Sequence, residues 1–379
     1  MRLKERKSYL KQIKQYLVQF PIVALIGSRQ CGKTTISKLI KYSNFYDLEN
    51  PRDIARLKNP QLELEDKEGI IVIDEIQRKP ELFEILRFLV DSNPNQKYLI
   101  LGSASPDLIK GASESLAGRV GFIELAPFSI SELPKLKNEL WIRGGYPDSL
   151  LANSEEESFR WRENYIQTFL ERDIPNLGIN IPANTLFRFW SMIAHYHGQT
   201  LNYSELSKSF GISDMTVRKY LDILSNTFLI ELLQPWYVNI KKRQVKSPKL
   251  YIRDSGIFHN LIRVENKKEL NINPKLGASF EGFVVEQLRR IAPFPSKNFF
   301  FWSVHTGSEV DLFWRYKGSN YAVEIKFKDA PKLEKSLKNC MIDLNISKAW
   351  VVYPGNIEYK LTENITVLPV SEINKCFYV

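Results

Sequence analysis

The run Gly27-Ser28-Arg29-Gln30-Cys31-Gly32-Lys33-Thr34-Thr35 constrains this chain more than any other stretch. Its spacing is G-x-x-x-x-G-K-[ST]. An apolar run, Ile22 to Ile26, precedes it and reads as a buried strand. Behind it, Lys33 to Lys41 carries Ile36, Leu39 and Ile40 at helical spacing. Glycines let a backbone wrap closely around an anion, and a helix start turns free N–H groups and the positive dipole end towards it. The stretch therefore reads as a cradle for the phosphates of ATP, with residues Gly27 to Thr35 in contact. Lys33 is expected to reach the β- and γ-phosphates, and the Thr34 hydroxyl to ligate Mg²⁺.

A partner motif follows. Gly69-Ile70-Ile71-Val72-Ile73-Asp74-Glu75 is an apolar strand ending in two acids. The strand would deliver Asp74 to the Mg²⁺ shell, and Glu75 beside it would activate the attacking water. Pro80 to Val90 reads as a helix with Leu82, Phe83, Leu86 and Val90 on one face. Tyr98 to Ser103 is a further strand, and Ser103 at its end is expected beside the γ-phosphate.

The chain has 379 residues, which suits two or three domains, and 44% apolar residues, enough for buried cores. A net charge of +10 favours a polyanionic partner such as DNA. Three cysteines, Cys31, Cys340 and Cys376, make no disulfide framework and point to a reducing, cytoplasmic setting. The start, Met1 to Lys7, lacks the apolar core of a signal peptide, and no apolar run approaches the ~18 residues of a membrane span.

In the middle of the chain, Ser154-Glu155-Glu156-Glu157 is a capping box that opens a helix to about Asp173. Residues 175 to 184 read as a linker. Tyr203 to Leu221 then has the pattern helix, glycine turn, helix, with Ser213 as the cap and Thr216, Arg218 and Lys219 exposed on the second helix. Lys241, Lys242, Arg243, Lys246 and Lys249 form a basic loop suited to phosphates. Together these read as a winged helix that touches DNA; the competing reading is a winged helix used for protein packing. His195 and His197 point to different helix faces, so no metal site is expected there.

The segments Gly27–Thr34, Ile73-Asp74-Glu75-Ile76-Gln77, Leu101-Gly102-Ser103-Ala104-Ser105, Ser115-Leu116-Ala117-Gly118-Arg119, Gly144-Gly145-Tyr146-Pro147 and Leu170-Glu171-Arg172-Asp173-Ile174 together resemble the AAA+ ATPases. They are most similar to the bacterial and archaeal AAA-type ATPases that carry a restriction-endonuclease-like C-terminal domain of unknown function. The resemblance covers essentially the whole chain, although Cys31 stands where that family usually has a small apolar residue. It implies an α/β fold with a parallel five-stranded sheet over residues 1–128 and a helical lid over 129–180. A winged helix over 181–262 and an α/β domain over 263–379 would follow. It also implies that Arg119 reaches a neighbouring subunit's γ-phosphate, hence a homo-oligomer, and that Pro147 packs on adenine.

From Gly277 the pattern changes. Residues 277 to 288 read as an amphipathic helix bearing Glu281 and Glu286, and three strands follow, Phe299–Trp302, Glu309–Trp314 and Tyr321–Lys326. A turn at Lys317 to Asn320 makes the last two a hairpin. The set resembles the PD-(D/E)xK nuclease superfamily. By that resemblance Asp311, Glu324 and the Ile325 carbonyl would hold Mg²⁺ or Mn²⁺, Lys326 would orient the hydrolytic water, and Glu281 or Glu286 would complete the acids. A working, ATP-gated DNA nuclease and a retained but inactive fold stand equally here. For the whole chain, the expected activity is ATP hydrolysis coupled to DNA. The alternative is a nucleotide-switched scaffold with a protein partner.

Overall fold

Residues 6–103, 114–238 and 244–378 are described by a computed structural model. They divide into two units, one of residues 1–127 with 226–228, the other of 128–225 with 229–379. In the first, five apolar segments form strands: β1 (Ile22–Gly27), β2 (Asn44–Asp47), β3 (Gly69–Asp74), β4 (Gln96–Ser103) and β5 (Val120–Glu124). Their order is β2-β3-β4-β1-β5 and every pairing is parallel. This is the parallel five-stranded sheet that the resemblance to AAA+ ATPases implied. All of β1 is buried, as a sheet covered on both faces requires.

Helix α1 (Lys7–Gln19) leads into β1, α2 (Lys33–Ser37) follows the glycine loop, and α3 (Leu82–Ser92) buries Leu82, Phe83, Leu86, Leu89 and Val90. The helix expected to run to Lys41 ends at Ser37: after the Lys38 N–H bonds the Thr34 carbonyl (3.2 Å), the Leu39 and Ile40 N–H groups bond the carbonyls three residues back, at Ile36 and Ser37 (both 3.1 Å), and the last turn tightens. Ahead of α1, the buried Arg6 donates to the carbonyls of Ala126 (2.8 Å) and Cys31 (3.3 Å), tying the chain start to the glycine loop.

The second unit opens its long helix α4 (Glu155–Thr168) with Ser154, whose hydroxyl accepts from the Glu157 N–H at 3.1 Å. A π-helical turn, Phe169–Asp173, and a short helix, Ile174–Asn176, prolong it into the segment read as linker. Three helices, α5 (Ala183–Ala194), α6 (Tyr203–Phe210) and α7 (Asp214–Asn226), accompany a small antiparallel sheet of β6 (Gln199–Thr200), β7 (Ile230–Leu233) and β8 (Lys249–Ile252), with β8 in the centre.

The rest forms a six-stranded mixed sheet of β9 (Phe299–Ser303), β10 (Glu309–Tyr316), β11 (Ser319–Ile325), β12 (Ile346–Tyr353), β13 (Tyr359–Thr362) and β14 (Ile365–Pro369), in the order β13-β14-β12-β11-β10-β9. Helix α8 (Leu276–Ile291) packs Phe280, Phe283 and Val284 against one face with Leu312, Val323 and Trp350, and α9 (Lys335–Asp343) packs Leu337 and Cys340 against the other with Val310 and Phe313. The β10–β11 hairpin turns at Lys317 and Gly318, both at positive φ (47° and 83°).

Gly27 closes β1 where no side chain fits. A Cβ there would stand 2.2 Å from the Leu125 carbonyl oxygen and 3.1 Å from Cys31 Sγ. Gly27→Ala is therefore expected to destabilise the chain by about 2 kcal/mol, the usual scale of overpacking. A urea melt of the full chain measures it; an unchanged midpoint would mean that the strand end shifts freely.

Candidate functional site

The parallel register brings the carboxyl ends of β1, β3 and β4 together, the edge where open α/β sheets bind ligands. Gly27 pairs with Ser103, so the glycine loop starts beside the end of β4. Gln30 (φ 59°) and Gly32 (φ 102°) turn the loop through left-handed conformations. Lys33 is buried, and its ammonium donates to the carbonyls of Gly27 (3.1 Å) and Ser28 (2.9 Å). The Ser28 hydroxyl is buried without a hydrogen-bond partner among the described residues. Arg29 lies 3.6 Å from Glu49, Cys31 is buried, and Thr35 is exposed.

Across the loop, the Thr34 hydroxyl donates to Asp74 Oδ2 at 2.6 Å. Asp74 Oδ1 accepts from the Glu75 N–H at 2.9 Å. Burial pushes the Asp74 carboxyl up, and the Thr34 hydrogen bond partly offsets that. Glu75 sits at φ 57°, off the end of β3, and its carboxylate accepts from the Gln77 amide. An ammonium resting on carbonyls, an orphaned hydroxyl in the cradle and a hydroxyl–carboxylate pair fit a nucleotide triphosphate with Mg²⁺. Thr34 and Asp74 would hold the metal, and the loop with Lys33 the phosphates.

Two further residues were expected at this site. Arg119 grips Asp91 through both ends of its guanidinium, at 2.7 and 2.8 Å. Pro147 belongs to the second unit, where it opens a short helix, Pro147–Leu150.

The second unit holds a separate cluster of buried charge. A bulge between Val310 and Phe313 re-aims Asp311. Asp311 Oδ2 accepts from the Ile325 N–H at 2.8 Å, so the hairpin does bring the acid to the end of β11. Lys326 lies just beyond β11, with its ammonium 2.7 Å from Glu324 Oε1 and 3.2 Å from Glu334. Glu281 on α8 accepts from the Tyr251 hydroxyl at 2.6 Å. At the centre is Lys249 of β8, only 4% exposed, 3.4 Å from Glu281, 3.5 Å from Asp311, and paired with Glu309. Burial drives Glu281 up to about 7 and Glu324 to about 8; Lys249 opposes this at Glu281, while Asp311 adds to it at Glu324.

These positions correct three expectations. Lys249 is not part of a phosphate-binding loop but the start of a buried strand, with Tyr251 on the same face, because three acids demand a cation there. Glu286 does not join the acids. It lies five residues beyond Glu281, about 140° around the helix, and meets arginines instead. The metal set is not assembled either: among the described residues no three His, Cys, Asp or Glu side chains come together as metal ligands. The ammonium of Lys249 stands among the oxygens that would do so. Lys249, Tyr251 and Glu309 were the residues that sequence reasoning missed, although the period-two placement of Lys249 and Tyr251 in an apolar strand is a usable signal.

On α7, Arg218 and Lys219 are exposed and Thr216 half-buried; Thr216 donates its N–H to the Ser213 hydroxyl at 3.1 Å. The Arg218 guanidinium lies 3.9 Å over the Tyr203 ring. Lys241, Lys242 and Arg243 fall outside the described residues. His197 is buried, accepts from the Ile252 N–H at 3.0 Å and stacks on Phe258.

The family described as an AAA domain matches residues 19–134. Two domains of unknown function match residues 135–268 (DUF8612) and 276–373 (DUF4143). Uncharacterized proteins of Mycobacterium tuberculosis and Mycobacterium bovis are each 44% identical over 375 residues, 97% of this chain and 84% of theirs. The chain belongs to the family of these mycobacterial proteins. Its first unit is an AAA-like P-loop ATPase domain. An uncharacterized Haemophilus influenzae protein is 25% identical over 323 residues, 75% of this chain and 78% of that one. Among solved structures, the Walker-type ATPase of Pyrococcus abyssi aligns at a TM-score of 0.49 and 16% identity, covering 69% of this chain and 96% of its own. No helix among the described residues is long and apolar enough to cross a membrane.

Glu286 shows how this family member holds charge in its interior. Its buried carboxylate accepts from Arg253 (2.9 Å), Arg289 (3.0 Å) and Arg290 (3.1 Å). Burial alone would raise its pKa, but the guanidiniums outweigh it and hold the carboxyl down to about 2, against an ordinary 4.5. A depressed carboxyl adds stability that is complete above its unfolded pKa and lost as pH falls towards the folded one. That contribution should fade between pH 4.5 and about 2. At neutral pH, Glu286→Gln is expected to cost about 3–5 kcal/mol, as for a broken buried pair. Urea melts of both proteins at pH 7 and pH 4 test this, with the gap narrowing in acid.

Proposed function

We propose that the chain binds ATP with Mg²⁺ at the glycine loop, hydrolyses it, and couples the nucleotide cycle to DNA through α6 and α7. The observation that carries the first part is the 2.6 Å hydrogen bond between Thr34 and Asp74, which sets two metal-binding groups side by side at the end of a parallel sheet. Magnesium would draw charge from the β- and γ-phosphates. Lys33 exchanges its two carbonyl partners for phosphate oxygens. Ser28 and the loop N–H groups of residues 29 to 35 cradle the phosphates. Glu75, held by Gln77, orients the attacking water, and Ser103 lies one strand away to sense the γ-phosphate. For Arg119 to serve a neighbouring subunit in a homo-oligomer, it must first release Asp91.

Three helices and a three-stranded antiparallel sheet, in the chain order α5-β6-α6-α7-β7-β8, support the winged-helix reading. Exposed Arg218 and Lys219 on the second helix suit phosphate contacts. A protein partner on the same helix is the second reading, favoured by Met215, which is 79% exposed beside them. Metal-dependent cutting of DNA has no support in the geometry of the carboxylate cluster.

Purified protein with Mg²⁺ and ATP should release phosphate, and Lys33→Ala should reduce this to background. Equal turnover by wild type and variant would remove the ATPase reading. Glu75→Gln should keep ATP binding while losing turnover. Duplex DNA binding should weaken with salt, and Arg218→Ala/Lys219→Ala should flatten the slope of log K against log salt by roughly 1–2, at about 0.9 per phosphate contact. An unchanged slope moves that helix to protein contact.

A further inference from the structure

We infer that Lys249 is the resident cation of the carboxylate cluster in the second unit, and that it keeps divalent metal ions out of it. Three carboxylates face the Lys249 ammonium from two elements, Glu281 on α8 and Glu309 and Asp311 on β10, and Glu324 on β11 lies within electrostatic reach of Asp311. A cluster of buried acids needs a positive charge at its centre. Here that charge comes from within the chain, on a strand of a different sheet. The Lys249 ammonium contacts Glu281, Glu309 and Asp311 and lies over the Phe301 ring, 5.5 Å from its centroid.

The surrounding hydrogen bonds belong to that arrangement. Tyr251, two residues on and facing the same way, donates to Glu281. The Ile325 N–H occupies Asp311 Oδ2, and Lys326 occupies Glu324 Oε1. A metal ion bridging Asp311, Glu281 and Glu309 would have to sit where the ammonium is, and two cations cannot share that volume. Glu324 Oε2, buried and without a partner among the described residues, is the oxygen such an ion would recruit once the ammonium is gone. The cluster is thus a lock between two sheets. β8 is held in place by its pairing with β6 and β7 and carries the lysine into the acids, and metal is excluded while β8 stays paired.

The experiment is a Mn²⁺ titration of the full, nucleotide-free chain, followed by the loss of the free-ion electron paramagnetic resonance signal. The glycine loop is the same in every variant, so differences report the cluster. Wild type and Asp311→Asn should bind equal amounts of Mn²⁺. Lys249→Met keeps the apolar stem and removes the charge; it should bind one further Mn²⁺ per chain, and Lys249→Met/Asp311→Asn should lose that ion again. Wild type holding an Mn²⁺ that Asp311→Asn lacks would overturn the inference. So would a folded Lys249→Met that binds no more than wild type. Should Lys249→Met fail to fold, the comparison of wild type with Asp311→Asn decides alone, equal binding upholding the inference and unequal binding ending it.

Discussion

A charge taken out of water must find partners inside the protein, whether hydrogen-bonding dipoles or an opposite charge, and the interior of this chain is arranged around that requirement. At the glycine loop the buried ions are Lys33 and Asp74, each satisfied by neutral partners: carbonyls for the ammonium, a hydroxyl and an N–H for the carboxylate. Such partners can be exchanged for a ligand without leaving a bare charge behind. In two clusters of the second unit the ions meet each other directly, Lys249 among acids and Glu286 among arginines. Those pairs have nothing to gain from a ligand. The contrast separates a site prepared to bind from a site already filled.

The sheet determines which groups can be exchanged. Parallel strands put all carboxyl ends on one edge, so Gly27, Asp74 and Ser103 arrive together although about 75 residues separate the first from the last. The left-handed turns at Gln30 and Gly32 then fold the loop over that edge. Arg6 adds a support from outside the motif, fixing the Cys31 carbonyl from a position before the first helix.

What could be read from the sequence followed the range of the interactions. The glycine loop, the strand ending in Asp74 and the capped helix at Ser154 are local patterns, and each was legible because neighbours in the chain decide it. The helix after the loop was read too long, since hydrophobic spacing continues to Ile40 while the backbone bonds beyond Ser37 tighten to three-residue turns. Lys249 was misassigned because it follows a run of basic residues, whereas its partners lie about 30 to 60 positions away. The choice between Glu281 and Glu286 was open in the sequence for the same reason. Only the fold shows that three arginines, one of them on β8's outgoing turn, surround Glu286.

Lys249 also alters how this family's sequences should be interpreted. With the ammonium fixed in the interior, losing all of Glu281, Glu309 and Asp311 would leave it bare, so folding alone keeps acids beside it. Purifying selection for stability would therefore retain an acidic signature that looks enzymatic. Where a relative keeps these acids, that alone is no argument for phosphodiester chemistry; a relative with a neutral residue in place of the lysine and the acids intact would be the one to examine for it.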